Sequence, residues 1–259
     1  MTPLLEIRNV SKNFDALKVI DDVSFSVPAN GRTALIGPNG AGKTTIFNLI
    51  SGFYDVSSGV VLLDGMDITK VPSRKRAALG QARSFQNIRL MPHLSVVENV
   101  MLGQQSRADG LKQALLPLRA SHLRAEAEAQ LESMNIRVHP DDVVSSLPYG
   151  IRKQIEVVRA LASKPRLLLL DEPAAGLNPA ETAALVEFLR KISDSGVTLL
   201  VVEHDMSLVR SLCDHAVVLN FGRKIYDGAT AHVHEDPQVL EAYLGPGHAG
   251  KAGLAGAVA

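Results

Sequence analysis

Short apolar runs bounded by turn residues recur along this chain, and in its second half they are separated by stretches of helical period. Leu4 to Val10 and Val19 to Val27 read as strands of mixed alternation joined through Phe14 and Asp15, and Gly59 to Asp64 reads as another, closed by Asp64-Gly65. No helical stretch separates the first two, which predicts an antiparallel flap beside the main core. Thr33 to Ile36 is a short apolar strand, and Thr45 to Ile50 has the look of a helix. The middle of the chain is different. Ser95-Val96-Val97-Glu98 is a capping box that opens a helix towards Leu102. Gly103 to Leu118 is irregular, with Gly110 and Pro117 breaking any pattern. From Ser121 a polar helix resumes, with Leu123, Ala127, Leu131 and Met134 near one face.

The core then returns. Arg166-Leu167-Leu168-Leu169-Leu170-Asp171 is apolar without interruption, as a strand is when both faces of a parallel sheet are covered. Asn178-Pro179-Ala180-Glu181 supplies an N-cap, a first-turn proline and an N3 glutamate. The helix it opens carries Leu185, Phe188, Leu189 and Ile192 on one face, and Val197 to Val202 forms the next buried strand. Alternation of apolar strand and amphipathic helix predicts an α/β fold built on a parallel sheet. The expected organisation is one domain over 1–245, with its core in 1–86 and 163–245. A mainly helical subdomain is inserted at about 87–162, and 246–259, rich in Gly and Ala, reads as a disordered tail.

Composition narrows the picture only a little. Basic and acidic residues balance at 27 each, which counts mildly against a nucleic-acid partner. Cys213 is the sole cysteine and lies in an apolar stretch, so it reads as a small buried side chain in a reducing compartment. No apolar run approaches the ~18 residues needed to span a bilayer, and the first residues lack the pattern of a secretory signal. The expectation is a cytosolic chain free to dock on a membrane protein.

The candidate chemistry starts between the strand ending at Ile36 and the helix that follows. Gly37-Pro38-Asn39-Gly40-Ala41-Gly42-Lys43-Thr44-Thr45 fits the phosphate-binding pattern at every fixed position. Glycines let successive N–H groups turn inward, and the helix N-terminus adds its dipole. Lys43 can then reach the terminal phosphates of a nucleotide, and Thr44 offers a hydroxyl to Mg2+. Asp171 and Glu172 end a buried strand and point to different places, because side chains alternate along it. That suits Asp171 to the metal shell and Glu172 to orienting or deprotonating a water. His204 follows another strand of the sheet, on the side where ligands of such sheets sit. Asp205 caps the helix after it.

With these residues in place, the chain resembles the ATP-binding subunits of ABC transporters from Leu4 to about Gly245. The resemblance implies a P-loop NTPase (RecA-like) core with an antiparallel β subdomain and an inserted α-helical subdomain. It implies that Phe14 stacks on adenine, that Gln86 links metal and water to the transport subunit, and that Asp171 binds metal. It further implies that Glu172 is catalytic, that His204 contacts the γ-phosphate, and that Ala175-Gly176-Leu177-Asn178 is the loop between subunits usually written S-A-L-D. The family pattern Leu-Ser-Gly-Gly-Gln, which caps ATP on the opposite subunit, stands here as Leu147-Pro148-Tyr149-Gly150-Ile151. Pro148 has neither hydroxyl nor N–H, so a γ-phosphate contact falls to Gly150 and the helix after it, and weaker closure over the partner's nucleotide is expected.

That variant loop, the run Asp171 to Pro179 and the ending Asp236 to Gly245 are similar to the LivG-type ATPases of branched-chain (hydrophobic) amino-acid importers. The resemblance implies a peripheral ATPase on the cytoplasmic face of the inner membrane. Its partners would be a second ABC ATPase (a different protein in this subfamily, a second copy being the alternative), transmembrane permease subunits and, indirectly, a substrate-binding protein. The competing readings are an ATPase for urea or short amides, one for lipopolysaccharide export, and a soluble ABC ATPase acting on nucleic acid. The last is opposed by the lack of a coiled coil or a second ATPase half.

Overall fold

A computed structural model describes residues 3–84, 88–105 and 117–245. Two sheets organise it. The first is four-stranded, in the order β2-β1-β4-β5, from β1 (Pro3–Phe14), β2 (Leu17–Pro28), β4 (Ser58–Leu63) and β5 (Met66–Asp67). All its pairings are antiparallel; the β1–β2 pair is the flap that the helix-free first strands predict, while β4 joins β1 after an intervening helix. β1 and β2 extend well past the expected Leu4–Val10 and Val19–Val27, because they form one long hairpin turning at Asp15, whose φ is +49°.

The second sheet has six strands in the order β10-β9-β3-β8-β7-β6. They are β3 (Arg32–Ile36), β6 (Gln81–Arg83), β7 (Leu167–Asp171), β8 (Thr198–Val202), β9 (His215–Asn220) and β10 (Arg223–Ala229). All pairs are parallel except the hairpin of β9 with β10. β7 and β8 are buried at every residue. The strand pleat sorts their side chains between two cores. Leu168, Leu170, Leu199 and Val201 join the core on one face, while Leu167, Leu169, Leu200 and Val202 join that on the other.

The helices divide by face. Helix α1 (Lys43–Ile50) lies between the sheets, with Ile46, Phe47, Leu49 and Ile50 in the same core as Leu5, Ile7 and Val61 of the antiparallel sheet. The short α2 (Ser73–Arg76) buries Arg76, whose guanidinium donates to the carbonyls of Val71, Ile68, Leu49 and Ile50. On the opposite face lie α3 (Val96–Gln104), α4 (Pro117–Ser133), α5 (Tyr149–Leu161), α6 (Pro179–Asp194) and α7 (Met206–Leu212). Helix α8 (Pro237–Leu244) closes the described chain and adds Val239 to that core. The capping boxes at Ser95/Glu98 and Asn178/Glu181 both form.

One helix differs from expectation: α4 already includes Pro117, ahead of the expected start at Ser121. The segment 106–116 and the tail 246–259 lie outside the described residues. Among the described residues, no helix is long and apolar enough to cross a membrane.

Candidate functional site

The loop from Gly37 to Gly42 leaves the end of β3 and enters α1, and its backbone dictates its glycines. Gly42 has φ +101°, and a Cβ on Gly37 would approach the Leu219 carbonyl oxygen to 2.2 Å. Gly42 caps α1 without a side-chain partner, and the first turn holds no acid, so the helix end favours an anion. Lys43 is buried and folds back on the loop, its Nζ donating to the carbonyls of Gly37 at 2.6 Å and Pro38 at 2.9 Å. Burial pulls its pKa down, and the charge of Glu172 works against that. Thr44 and the tip residues Asn39 and Gly40 are exposed; Pro38 and Thr45 are half-buried, and Ala41 packs inside.

The neighbouring strands bring the acids. Asp171 is the last residue of β7, its side chain 12% exposed, and its Oδ2 accepts from Arg83 Nη2 at 2.9 Å. Burial pushes the Asp171 carboxyl up and Arg83 opposes it. Glu172 leaves the strand with φ +45°, a left-handed conformation uncommon outside glycine, while its N–H still bonds Val202 O at 2.9 Å. This turn sends the adjacent acids apart: Asp171 goes to Arg83, whereas Glu172 Oε1 lies 3.8 Å from His204 Nδ1. His204 is largely exposed just beyond β8, and Asp205 caps α7 through the N–H groups of Ser207 and Leu208. Lys43, Asp171, Glu172 and His204 thus gather at the carboxyl ends of β3, β7 and β8.

Phe14 stands at the tip of the β1–β2 hairpin. Its ring is met edge-on by Tyr54 at 5.3 Å between centroids, with Lys12 Nζ 4.9 Å from its centre. Further along the same hairpin, the Val19 carbonyl oxygen would lie 3.5 Å from a Cβ on Gly42, so the hairpin flanks the phosphate loop. Gln86 lies outside the described residues.

A second constellation joins the Leu147–Gly150 loop to the segment after Glu172. Pro148 occupies the N-cap of α5, so Gly150 falls within the first helical turn rather than ahead of the helix. Tyr149 Oη donates to Ala175 O at 3.4 Å, and Arg152 and Lys153 approach its ring. A Cβ on Gly150 would lie 3.0 Å from Oε1 of Glu181, the residue that completes the capping box of Asn178.

Two residues that the sequence reading passed over are built into this site. Glu203 is 1% exposed and accepts from the N–H of Ala174 and of His204, each at 3.2 Å, which ties the turn after Glu172 to the histidine loop. Its signal was a carboxylate beside His204 at the end of an apolar strand. Arg83 was legible only as a cation near Gln86.

Comparison with known proteins identifies the family. The sequence profile of the ABC transporter family matches residues 20–175. The chain is 39% identical over 250 residues to the high-affinity branched-chain amino acid transport ATP-binding protein BraF of Pseudomonas aeruginosa, covering 94% of this chain and 98% of that one. It is 36% identical over 251 residues to LivG of Escherichia coli K12, of the same description, covering 94% and 98%. The lipopolysaccharide export ATP-binding protein LptB of Haemophilus influenzae is 32% identical over 242 residues, at 93% and 97% coverage. Among solved structures, the ADP conformation of an ABC-transporter ATP-binding cassette superposes with a TM-score of 0.83 at 29% identity, covering 95% of this chain and 100% of that one.

Proposed function

This chain belongs to the ABC transporter family as an ATP-binding subunit, an ATPase coupled to transport, and we propose that it drives import of branched-chain or other hydrophobic amino acids. The observation that carries the catalytic part is the convergence of Lys43, Asp171, Glu172 and His204 around the phosphate loop. The loop backbone and the α1 terminus hold the phosphates of ATP, and Lys43 exchanges its loop carbonyls for phosphate oxygens. Phe14 offers a ring face to adenine. Glu172 positions a water and takes its proton as the water oxygen bonds to the γ-phosphorus, and the bond to the bridging oxygen breaks to release ADP. His204 steadies the γ-phosphate.

The Thr44 hydroxyl and the Asp171 carboxylate are hard oxygen donors suited to Mg2+, which when bound would neutralise phosphate charge. Gln86 belongs to the same proposed metal and water shell. Leu147, Pro148, Tyr149, Gly150 and Asn178 would face the nucleotide of a second ATPase, a different protein in this reading. The permease would seat in the groove of about 400 Å³ between β6 and the helical layer, lined in part by Phe53, Arg83, Met91 and Leu102.

The cargo is proposed from the relatives at 39% and 36% identity. Co-purification from membranes in mild detergent identifies the partners. ATPase activity of that complex should then rise with leucine, isoleucine or valine and the cognate binding protein. Stimulation by urea alone, or by lipid, would overturn the amino-acid assignment.

A further inference from the structure

We propose that Arg83 is a positioning residue that carries the state of the groove beside β6 to the carboxylate of Asp171. The side chain starts on the edge strand of the sheet, where Arg83 is in register with Leu169 of β7. From there it reaches Asp171 Oδ2 through Nη2 at 2.9 Å. Its other terminal nitrogen, Nη1, donates to Asn48 Oδ1 at 2.7 Å and Ser51 Oγ at 2.8 Å, both on or just after α1. The guanidinium carbon also lies 4.7 Å from the ring centre of Phe47, which is fully buried, and 5.2 Å from that of Phe53, which is 52% exposed. Phe53 and Arg83 both line the groove.

One planar cation is therefore shared by a site carboxylate, the phosphate-loop helix and an exposed ring in the groove wall. Three features make it a connection rather than a surface pair. Arg83 and Asp171 side chains are each only 12% exposed, so the pair is poorly screened by solvent. The fork geometry of a guanidinium lets it hold these acceptors at once, which a lysine ammonium on a flexible stem does not reproduce. The guanidinium also takes one oxygen of Asp171, so a divalent ion at that carboxylate meets a resident positive charge. A partner pressing on Phe53 would shift the guanidinium and alter that competition.

This inference rests on the reading of Asp171 as the metal-binding acid, and the experiment separates the two. The full chain, carrying Glu172→Gln to keep nucleotide intact, is titrated with Mg2+ in the presence of a fluorescent ATP analogue. Arg83→Met should lower the Mg2+ midpoint by about threefold or more, and Phe53→Ala should shift it in the same direction. The double variant should match Arg83→Met alone, and analogue binding in EDTA should be the same in all. An unchanged or raised midpoint for Arg83→Met overturns the proposal, as does a Phe53→Ala shift that persists without Arg83. Should Arg83→Met fail to fold, Arg83→Lys serves, and Phe53→Ala must then have no effect in its background. Asp171→Asn is the control: if it leaves the Mg2+ midpoint unmoved, the metal assignment itself falls. If it moves the midpoint while Arg83→Met does not, only the relay falls.

Discussion

The ring of Tyr149 lies against Gly176, so closely that a Cβ on the glycine would stand 3.3 Å from Tyr149 Cε1. The variant signature loop and the loop after Glu172 are therefore packed as one unit within the chain. Gly176 has φ +81°, which other L-residues adopt at a cost. Gly176→Ala should lower stability by about 1–2 kcal/mol and reduce ATPase activity further than that loss of folded protein explains. Urea unfolding paired with steady-state turnover measures both; wild-type values in each would remove the packing argument.

Glu172→Gln should leave ATP binding intact and cut turnover by about 10²–10⁴-fold, the range for loss of a general base. Single-turnover hydrolysis together with equilibrium nucleotide binding separates the effects. Residual turnover near wild type would assign the base elsewhere.

Pro148 caps α5 with no side-chain hydrogen bond. A serine there can accept from the first-turn N–H groups, which is worth about 1 kcal/mol to the helix, and in the proposed dimer it would offer a hydroxyl to the partner's nucleotide. Pro148→Ser is expected to raise both the unfolding midpoint and ATP-dependent association with the partner ATPase. A stabilised protein whose association and turnover are unchanged would confine Pro148 to a capping role.

Glu203→Ala should destabilise by about 1–3 kcal/mol, because it strips a buried acceptor from the N–H groups of Ala174 and His204. Turnover should fall with it, since Ala174 follows Glu172 by two residues and His204 is the adjoining residue. Full activity in the folded variant would show that neither loop depends on this carboxylate.

Burial pushes the Cys213 thiol up to about 12. At pH 8 only about one thiol in ten thousand would then be ionised, and that fraction is shielded. Alkylation in native buffer should proceed only as fast as the protein opens, and quickly in denaturant. Prompt native-state labelling would contradict the packing around α7.

Much of this was legible in the sequence. The uninterrupted apolar run Leu167–Leu170 announced a central parallel strand, and the two capping boxes placed the starts of α3 and α6. The phosphate loop, the acid pair and His204 could be read because each combines a residue type with a strand end. What stayed hidden depends on contacts between distant segments. Gln81–Arg83 carries no strand pattern of its own and becomes β6 only by pairing with β7. Arg83 gains its meaning from Asp171 and Asn48, far away in the chain. The packing of Tyr149 against Gly176 joins two loops far apart in the chain, and neither residue type announces it.

Helix α1, gripped between the two sheets with Ile46, Phe47, Leu49 and Ile50 all at 1% exposure or less, has a mechanical consequence. An element so enclosed is the stator of the machine. It cannot travel without tearing open a core, so under the proposed reading a nucleotide at its N-terminus would sit at a fixed reference point. The amides of α1 should be among the last in the protein to trade hydrogen for deuterium.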